Sequence, residues 1–493
     1  MRDWLSNHAG GGGTYVLAAG LFVRLLGLIY LVAFASLAVQ ARGLMGRQGI
    51  LPADEFLQRR RRWGVRRLYL WPTLCWISGS DVFLVSLAWS GAGLGALLAA
   101  GIAPRASLIL LWVFYLSLYT VGEVFLGYQW DVLLLEAGFL AIFLAPGNLA
   151  PEFPPSSPPS PIILRLFWWL LFRLIFSSGV VKLRSGDLTW RKFTALSYHF
   201  ETQPLPTPLA WHAHQLPRRW LRVATAGVLA VELLVPFLIF GPARVRHWAA
   251  GLIVGLMALI ELTGNYGFFN WLAIALSVML LDDQFLWPFF QWLRPAAEQV
   301  VPATPSATVS WPAMAVALVV AGLSVVVVVR LLRLEINWPR PIVRAIDLLE
   351  PFRLVNSYGL FAVMTTTRAE IIIEGSEDGL NWQAYDFKWK SGDLTRAPRF
   401  VAPHQPRLDW QMWFEALGDY PHHFWFGRLL QRLLEGSPTV LSLLRRNPFS
   451  LTPPRFVRAL IFDYHFTGGA ERRLTGAWWR RQERRFFCPA IGR

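Results

Sequence analysis

Residues 177–216 read SSGVVKLRSGDLTWRKFTALSYHFETQPLPTPLAWHAHQL. An apolar helical pattern runs into this stretch and fails at Lys182. A polar turn follows at Ser185-Gly186-Asp187, then Trp190, Phe193, Tyr198, His199, Phe200 and Glu201. Pro204, Pro206 and Pro208 forbid a regular helix at its far end. A second apolar run begins near residue 223. Polar and aromatic groups held between two apolar runs read as a loop at a membrane surface, which makes the chain a multi-pass membrane protein.

The composition agrees. The 493 residues are 54% hydrophobic and only 16% charged, with mean hydropathy +0.39 and 25 Trp, whereas soluble domains carry about 25% charged residues. Apolar runs lie at 15–39, 81–102, 107–127, 130–146, 161–181, 223–240, 248–264, 267–287 and 312–332. These predict about nine spans and exclude a lone signal peptide. Between 146 and 161 the proline-rich PGNLAPEFPPSSPPSP is an extended loop. No run of spanning length follows residue 334, where polar, charged and aromatic residues take over. Ile371-Ile372-Ile373 with Glu377-Asp378-Gly379 reads as a strand and hairpin turn, 409–446 as helical, and 455–467 as a further strand. The expected fold is a polytopic α-helical membrane protein with a C-terminal extramembrane β-rich domain carrying a helical insertion. Its divisions are a disordered start at 1–14, a multi-pass region at 15–333 with interfacial loops at 40–80 and 182–222, and the extramembrane domain at 334–493.

The excess of 47 Lys and Arg over 31 Asp and Glu gives a net charge of +16. In a membrane protein such an excess faces lipid head groups, and no nucleic-acid module is present. Two cysteines, Cys75 and Cys488, are too few for a disulfide framework or a metal cluster. No metal site and no cofactor are expected.

Lys182 has the setting of an amine base, because burial and the neighbouring Arg184 both lower a lysine pKa; a snorkelling lysine at a helix end fits the same pattern. His199 and Glu201 alternate beside it, either as site residues or as hydrogen-bonded loop structure. Within the apolar runs, Arg24, Asp131, Glu136 and Arg173 are costly charges expected to form an internal polar network. Asp131 and Glu136 are five apart and do not share a helix face. Arg24, Arg165 and Arg173 are the expected partners, with Glu123, Glu232 and Glu261 as further candidates. In the C-terminal region Trp410, Trp413, Phe414 and Trp425 form an aromatic cluster, read as core or as a cradle for an apolar client.

An odd number of spans places the loop at 40–67, the loop at 182–222 and the C-terminal domain on one face. The first holds eight Arg and the second seven Lys or Arg, so the positive-inside rule alone makes that face cytoplasmic.

Several unusual strings resemble the lipase maturation factor family. They are Gly49-Ile50-Leu51-Pro52, YQWDVLLLEAGFLAIFLAP at 128–146, SSGVVKLRSGDLTW at 177–190 and ALSYHFETQPLPTPLAWHAHQLP at 195–217. LTGNYGFFNWLAIALSVMLLDD at 262–283, VNSYGLF at 355–361, EIIIEGSEDGLNW at 370–382 and PRFVAPHQPRLDWQMWFEALG at 398–418 extend the likeness over most of the chain. The resemblance implies a chaperone-like maturation factor whose client is a secreted lipase or other exported hydrolase. It also implies an endoplasmic reticulum membrane location in eukaryotes, or the cytoplasmic membrane in a bacterium. The C-terminal domain would face the lumen, opposite to the charge count. Gly179-Val180-Val181-Lys182-Leu183 is more faintly similar to the membrane core of vitamin K-dependent gamma-glutamyl carboxylase. That implies a carboxylase-like core among the spans and a competing class, a membrane enzyme using Lys182 as a base on a protein or lipid substrate.

Overall fold

The computed structural model describes residues 14–293, 311–420 and 422–492. The disordered start expected at 1–14 lies, apart from Thr14, outside the described residues. Seven helices are long and apolar enough to cross a membrane, or eight if one bent pair counts as a span. In chain order the principal helices of this region, with short interfacial helices between them, are α1 (Val16–Ala38), α2 (Asp81–Ala100), α3 (Pro104–Val121), α4 (Gln129–Leu144), α5 (Pro161–Arg184), α6 (Arg218–Leu233, continued by Val235–Leu238), α7 (Ala243–Thr263), α8 (Phe269–Val278) and α9 (Trp311–Leu331).

The multi-pass expectation holds, and two of the nine apolar runs depart from simple spans. The run at 130–146 forms α4, which has 16 residues and is about 24 Å long, short of the ~30 Å hydrocarbon core. It survives because it is interior, with Trp130, Leu133, Leu134, Leu135 and Leu140 all buried. The run at 267–287 breaks, and its two helical pieces meet at 105°. The central helix α1 packs on α2 at unusually short range. A Cβ on Gly27 would collide with the backbone of Ala99 and Gly95, so glycine at this crossing is a steric requirement.

Beyond the spans lie the short helix α10 (Arg340–Leu349), strands β1 (Arg368–Ser376), β2 (Gln383–Ala384) and β3 (Asp386–Phe387), helices α11 (Arg407–Glu415) and α12 (Phe424–Leu434), and strands β4 (Leu444–Arg446), β5 (Phe456–Phe466) and β6 (Trp479–Gly492). The main sheet is antiparallel with order β2-β1-β5-β6, and β3 pairs with β4. The helices α11 and α12 are the expected insertion. The uninterrupted Ile371-Ile372-Ile373 is explained by burial on both faces. Ile371 and Ile373 join the main core with Val457, Ala459 and Ile461. Ile372 points the other way, with Leu460, Phe462 and Tyr464, onto Leu196, Phe200 and Trp211. The stretch 177–216 is therefore the packing partner of the sheet's second face.

The loops and the C-terminal region do share one face. Arg432 Nε donates to Gly49 O at 2.9 Å and Ser437 Oγ to Gln48 O at 2.7 Å. Trp413 Nε1 donates to Thr202 O and Trp211 Nε1 to Thr467 O, at 2.8 and 2.9 Å. Asn265, in the turn between α7 and α8, donates to Arg399 O at 2.8 Å and accepts from the Val401 amide at 2.7 Å.

Candidate functional site

Three features meet where the sheet and α11 sit on the spans: a clasp, a chamber and a groove. The clasp is an ion pair between α11 and α4. Arg407 Nη1 and Nη2 donate to Asp131 Oδ2 and Oδ1 at 2.9 and 2.8 Å. Nη1 also reaches Phe125 O at 2.7 Å, and Tyr115 OH donates to Asp131 Oδ1 at 2.5 Å. Both carboxylate oxygens are satisfied and both residues are fully buried. The other intramembrane carboxylate behaves as expected: Glu136 pairs with Arg173 and accepts from Tyr358 OH at 2.7 Å and the Asn356 amide at 2.9 Å.

The expected polar network is thus two separate centres. Asp131 takes Arg407 from outside the spans, not Arg24, Arg165 or Arg173. Arg24 belongs to neither centre; it donates to Glu152 O at 3.0 Å and lies over the Phe153 ring. Five residues of helix turn Asp131 and Glu136 to different faces, so each meets its own cation.

A further clamp fixes the turn after Leu196–Thr202. Arg368 Nη1 donates to Glu201 O at 2.8 Å and also to Gln203 O, and its Nη2 donates to Pro204 O at 3.0 Å and Glu370 Oε1 at 2.6 Å. The Glu201 carboxylate accepts from the Phe466 amide at 2.7 Å, with His465 Nδ1 at 3.1 Å and His214 Nε2 at 3.6 Å. Glu201 therefore faces β5, away from Lys182. Among the described residues no group of His, Cys, Asp and Glu could hold a metal ion. Cys75 and Cys488 are both free and buried.

Lys182 is not at the surface. It is 4% exposed, and its Nζ donates to Glu232 Oε1 at 2.8 Å and Ser178 O at 3.2 Å. It borders a cavity of about 630 Å³ between α5, α6 and α7. Small residues Gly227, Gly251 and Gly255 open the cavity, and its walls are otherwise chiefly apolar. His199 lines the same space, 3.3 Å from Tyr266 OH. Burial, with the Lys182 charge second, holds the His199 pKa down to about 4, so the ring is neutral at physiological pH. Glu232 Oε2 is buried without a hydrogen-bond partner among the described residues.

The groove, also about 630 Å³, lies between α11, the start of α4 and residues 359–365. Tyr266, Leu360 and Phe361 line both spaces and form the wall between them. Phe361 has φ 53, a left-handed backbone rare for a bulky residue, and Trp190 Nε1 holds its carbonyl at 3.0 Å. Of the aromatic cluster, Trp410, Trp413 and Trp425 are buried. Trp410 stands edge-on to Trp130 at 4.8 Å, and Trp425 to Phe125 at 5.9 Å. Phe414 is different: it is 43% exposed at the groove's rim, beside Leu417 at 47%. Sequence reading missed Arg407, Arg368 and Leu417. The mixed apolar and polar positions of 407–417 do not say which side chains meet the spans and which stand in solvent.

Two family models match the chain: the lipase maturation factor transmembrane domain over residues 17–287 and the lipase maturation factor C-terminal domain over residues 354–489. Lipase maturation factor 2 of Gallus gallus is 37% identical, over 96% of this chain and 81% of that protein. The Homo sapiens protein of the same name is 36% identical, over 96% and 82%. Lipase maturation factor 1 of Bos taurus is 35% identical, over 98% and 90%. No solved structure matches. Likeness at this level along nearly the whole length, spans and sheet alike, means that the chain belongs to the lipase maturation factor family.

Proposed function

We propose that the protein is a membrane-bound maturation factor that shields an apolar surface of an exported lipase-type client while the client folds or assembles. The observation that carries this reading is the half-exposed apolar rim of the groove. Phe414, Leu417, Val124 and Val363 stand in solvent around it, each at least 40% exposed. Isolated apolar residues at a surface need no explanation, but four around one groove supply the contiguous patch that binds another apolar surface. The rim rests on a rigid frame, because behind it Arg407 is tied to α4 and Trp413 to the end of the short helix Leu196–Thr202. An exported client emerges on the exoplasmic side, so the groove faces that side. The arginines of 40–67 do not override this, since several are engaged by protein: Arg47 pairs with Asp54 at 3.1 Å, and Arg60 lies 3.5 Å over the Phe56 ring.

The Lys182 centre favours no second reading, because its amine is committed to Glu232. The test is secretion of active lipase by cells carrying the double variant Phe414→Ser and Leu417→Ser. Active lipase per molecule of lipase made should fall several-fold at normal abundance of the factor. Orientation is tested by Leu380→Cys, an exposed position: a membrane-impermeant reagent should label it from the exoplasmic side. Labelling only after lysis would reverse the orientation.

A further inference from the structure

A third cavity, of about 780 Å³, opens where the C-terminal ends of α5 and α9 reach the face that carries the sheet. Arg184, Arg330, Arg333 and Arg353 line it against the single carboxylate Glu350. Only Arg353 makes an ion pair there, with Glu350 at 3.8 Å; Arg184, Arg330 and Arg333 have no acidic partner among the described residues. Basic residues at the end of a helix offset its dipole, which accounts for Arg184 and Arg330. It does not account for Arg333 and Arg353, which lie beyond both helices. Arg353 is also held deliberately. Its backbone is left-handed at φ 53, and its carbonyl accepts from Asn356 Nδ2 at 2.8 Å. Asn356 is in turn fixed by Glu136.

One wall of the cavity is apolar, from Leu323 and Val327 of α9 and from Ile346 and Leu349 of α10, while Gln129, Ser177, Asn356 and Ser357 add polar groups. The helix α10 buries none of its residues, and its apolar Ile342, Val343 and Leu348 are exposed. A strongly amphipathic helix with a bare apolar side, entered eight residues after a span, lies in the membrane interface. We infer that this cavity binds one anionic phospholipid, its phosphate among the four arginines and its acyl chains along α9. The lipid, rather than a free phosphate, is the occupant because the arginine cluster continues directly into the apolar wall of a span.

The experiment uses the full chain in a neutral detergent, titrated separately with phosphatidylglycerol, phosphatidylcholine and inorganic phosphate, with bound lipid counted by native mass spectrometry. Phosphatidylglycerol should bind saturably, while phosphatidylcholine binds at least tenfold more weakly. Phosphate should not displace the lipid. The double variant Arg330→Gln and Arg333→Gln should weaken phosphatidylglycerol binding roughly thirtyfold. Arg218→Gln with Arg219→Gln, an exposed basic pair on the same face, should leave it unchanged. Equal binding of the two lipids, displacement by phosphate, or equal losses in the two double variants would each overturn the site. Should the first variant fail to fold, salt titration of the intact protein decides. Binding that weakens steeply with salt supports the arginine site, and salt-independent binding refutes it.

Discussion

The Arg407–Asp131 and Lys182–Glu232 pairs are both sealed from solvent, yet they differ in what surrounds them. In the first, both carboxylate oxygens are occupied, a tyrosine adds a donor, and the pair is packed between α11 and α4. In the second, one carboxylate oxygen has no partner and the pair borders a cavity. A fully satisfied buried pair fixes geometry, so the first locks the C-terminal region onto the spans. The second tolerates change, because a carboxylate beside open volume can take up a proton when its cation is lost.

The largest effect should come from breaking the clasp. Arg407→Met leaves Asp131 buried and unpaired, at a cost of about 3–5 kcal/mol. Cellular abundance and thermal stability should both collapse, and adding Asp131→Leu should recover most of the loss. If the single variant is as stable as the parent, the comparison fails. Lys182→Met should cost less, about 1–3 kcal/mol, measured as the shift in denaturation midpoint in detergent. Lys182→Arg sharpens the point. Guanidinium has donors for both oxygens of Glu232 and never becomes a base, so stability and client maturation should be retained. Loss of maturation at parental abundance would assign Lys182 to chemistry.

Titration tests the same region separately. Burial pushes the Glu415 carboxyl from 4.5 up to about 8, while His423 Nδ1, 2.9 Å from its Oε2, favours the charged form when protonated and so offsets part of that rise. The folded state therefore holds this proton more tightly than the unfolded chain. The corresponding stability is fully present below about pH 4.5 and is lost as pH rises to about 8. Glu415→Gln should flatten that fall in a pH series of melting temperatures; an unchanged slope would remove Glu415 as its source. Least of all should the double variant Phe414→Ser and Leu417→Ser affect stability, within about 0.5 kcal/mol as for other surface changes, even while it impairs the client.

Much of this was legible in the sequence. The spans follow from the apolar runs, and Glu136 with Arg173 follows from the cost of charge in lipid. The β1 and β5 strands were readable from Ile371-Ile372-Ile373 and the alternation at 455–467. Other features were not. Asp131 and Arg407 are 276 residues apart, and nothing local distinguishes a surface arginine from one that plugs a membrane helix. The shortness of the 130–146 run was readable from its length, but the extent of its burial inside the bundle was not, because hydropathy reports burial in protein and in lipid alike. The aromatic cluster was readable as core or as a cradle, but not that three of its members face inward and, of the four, Phe414 alone stands at the rim.

The central claim is that the groove rim touches the client. Photo-crosslinking tests it most directly, with a photoreactive amino acid placed at 414 or 417 and, for comparison, at 248, where the exposed Trp248 lies on the membrane-region helix α7. The account expects crosslinks to newly made lipase from 414 and 417 and none from 248. Client crosslinks of equal yield at all three positions, or crosslinks from 414 and 417 to lipid alone, would contradict it.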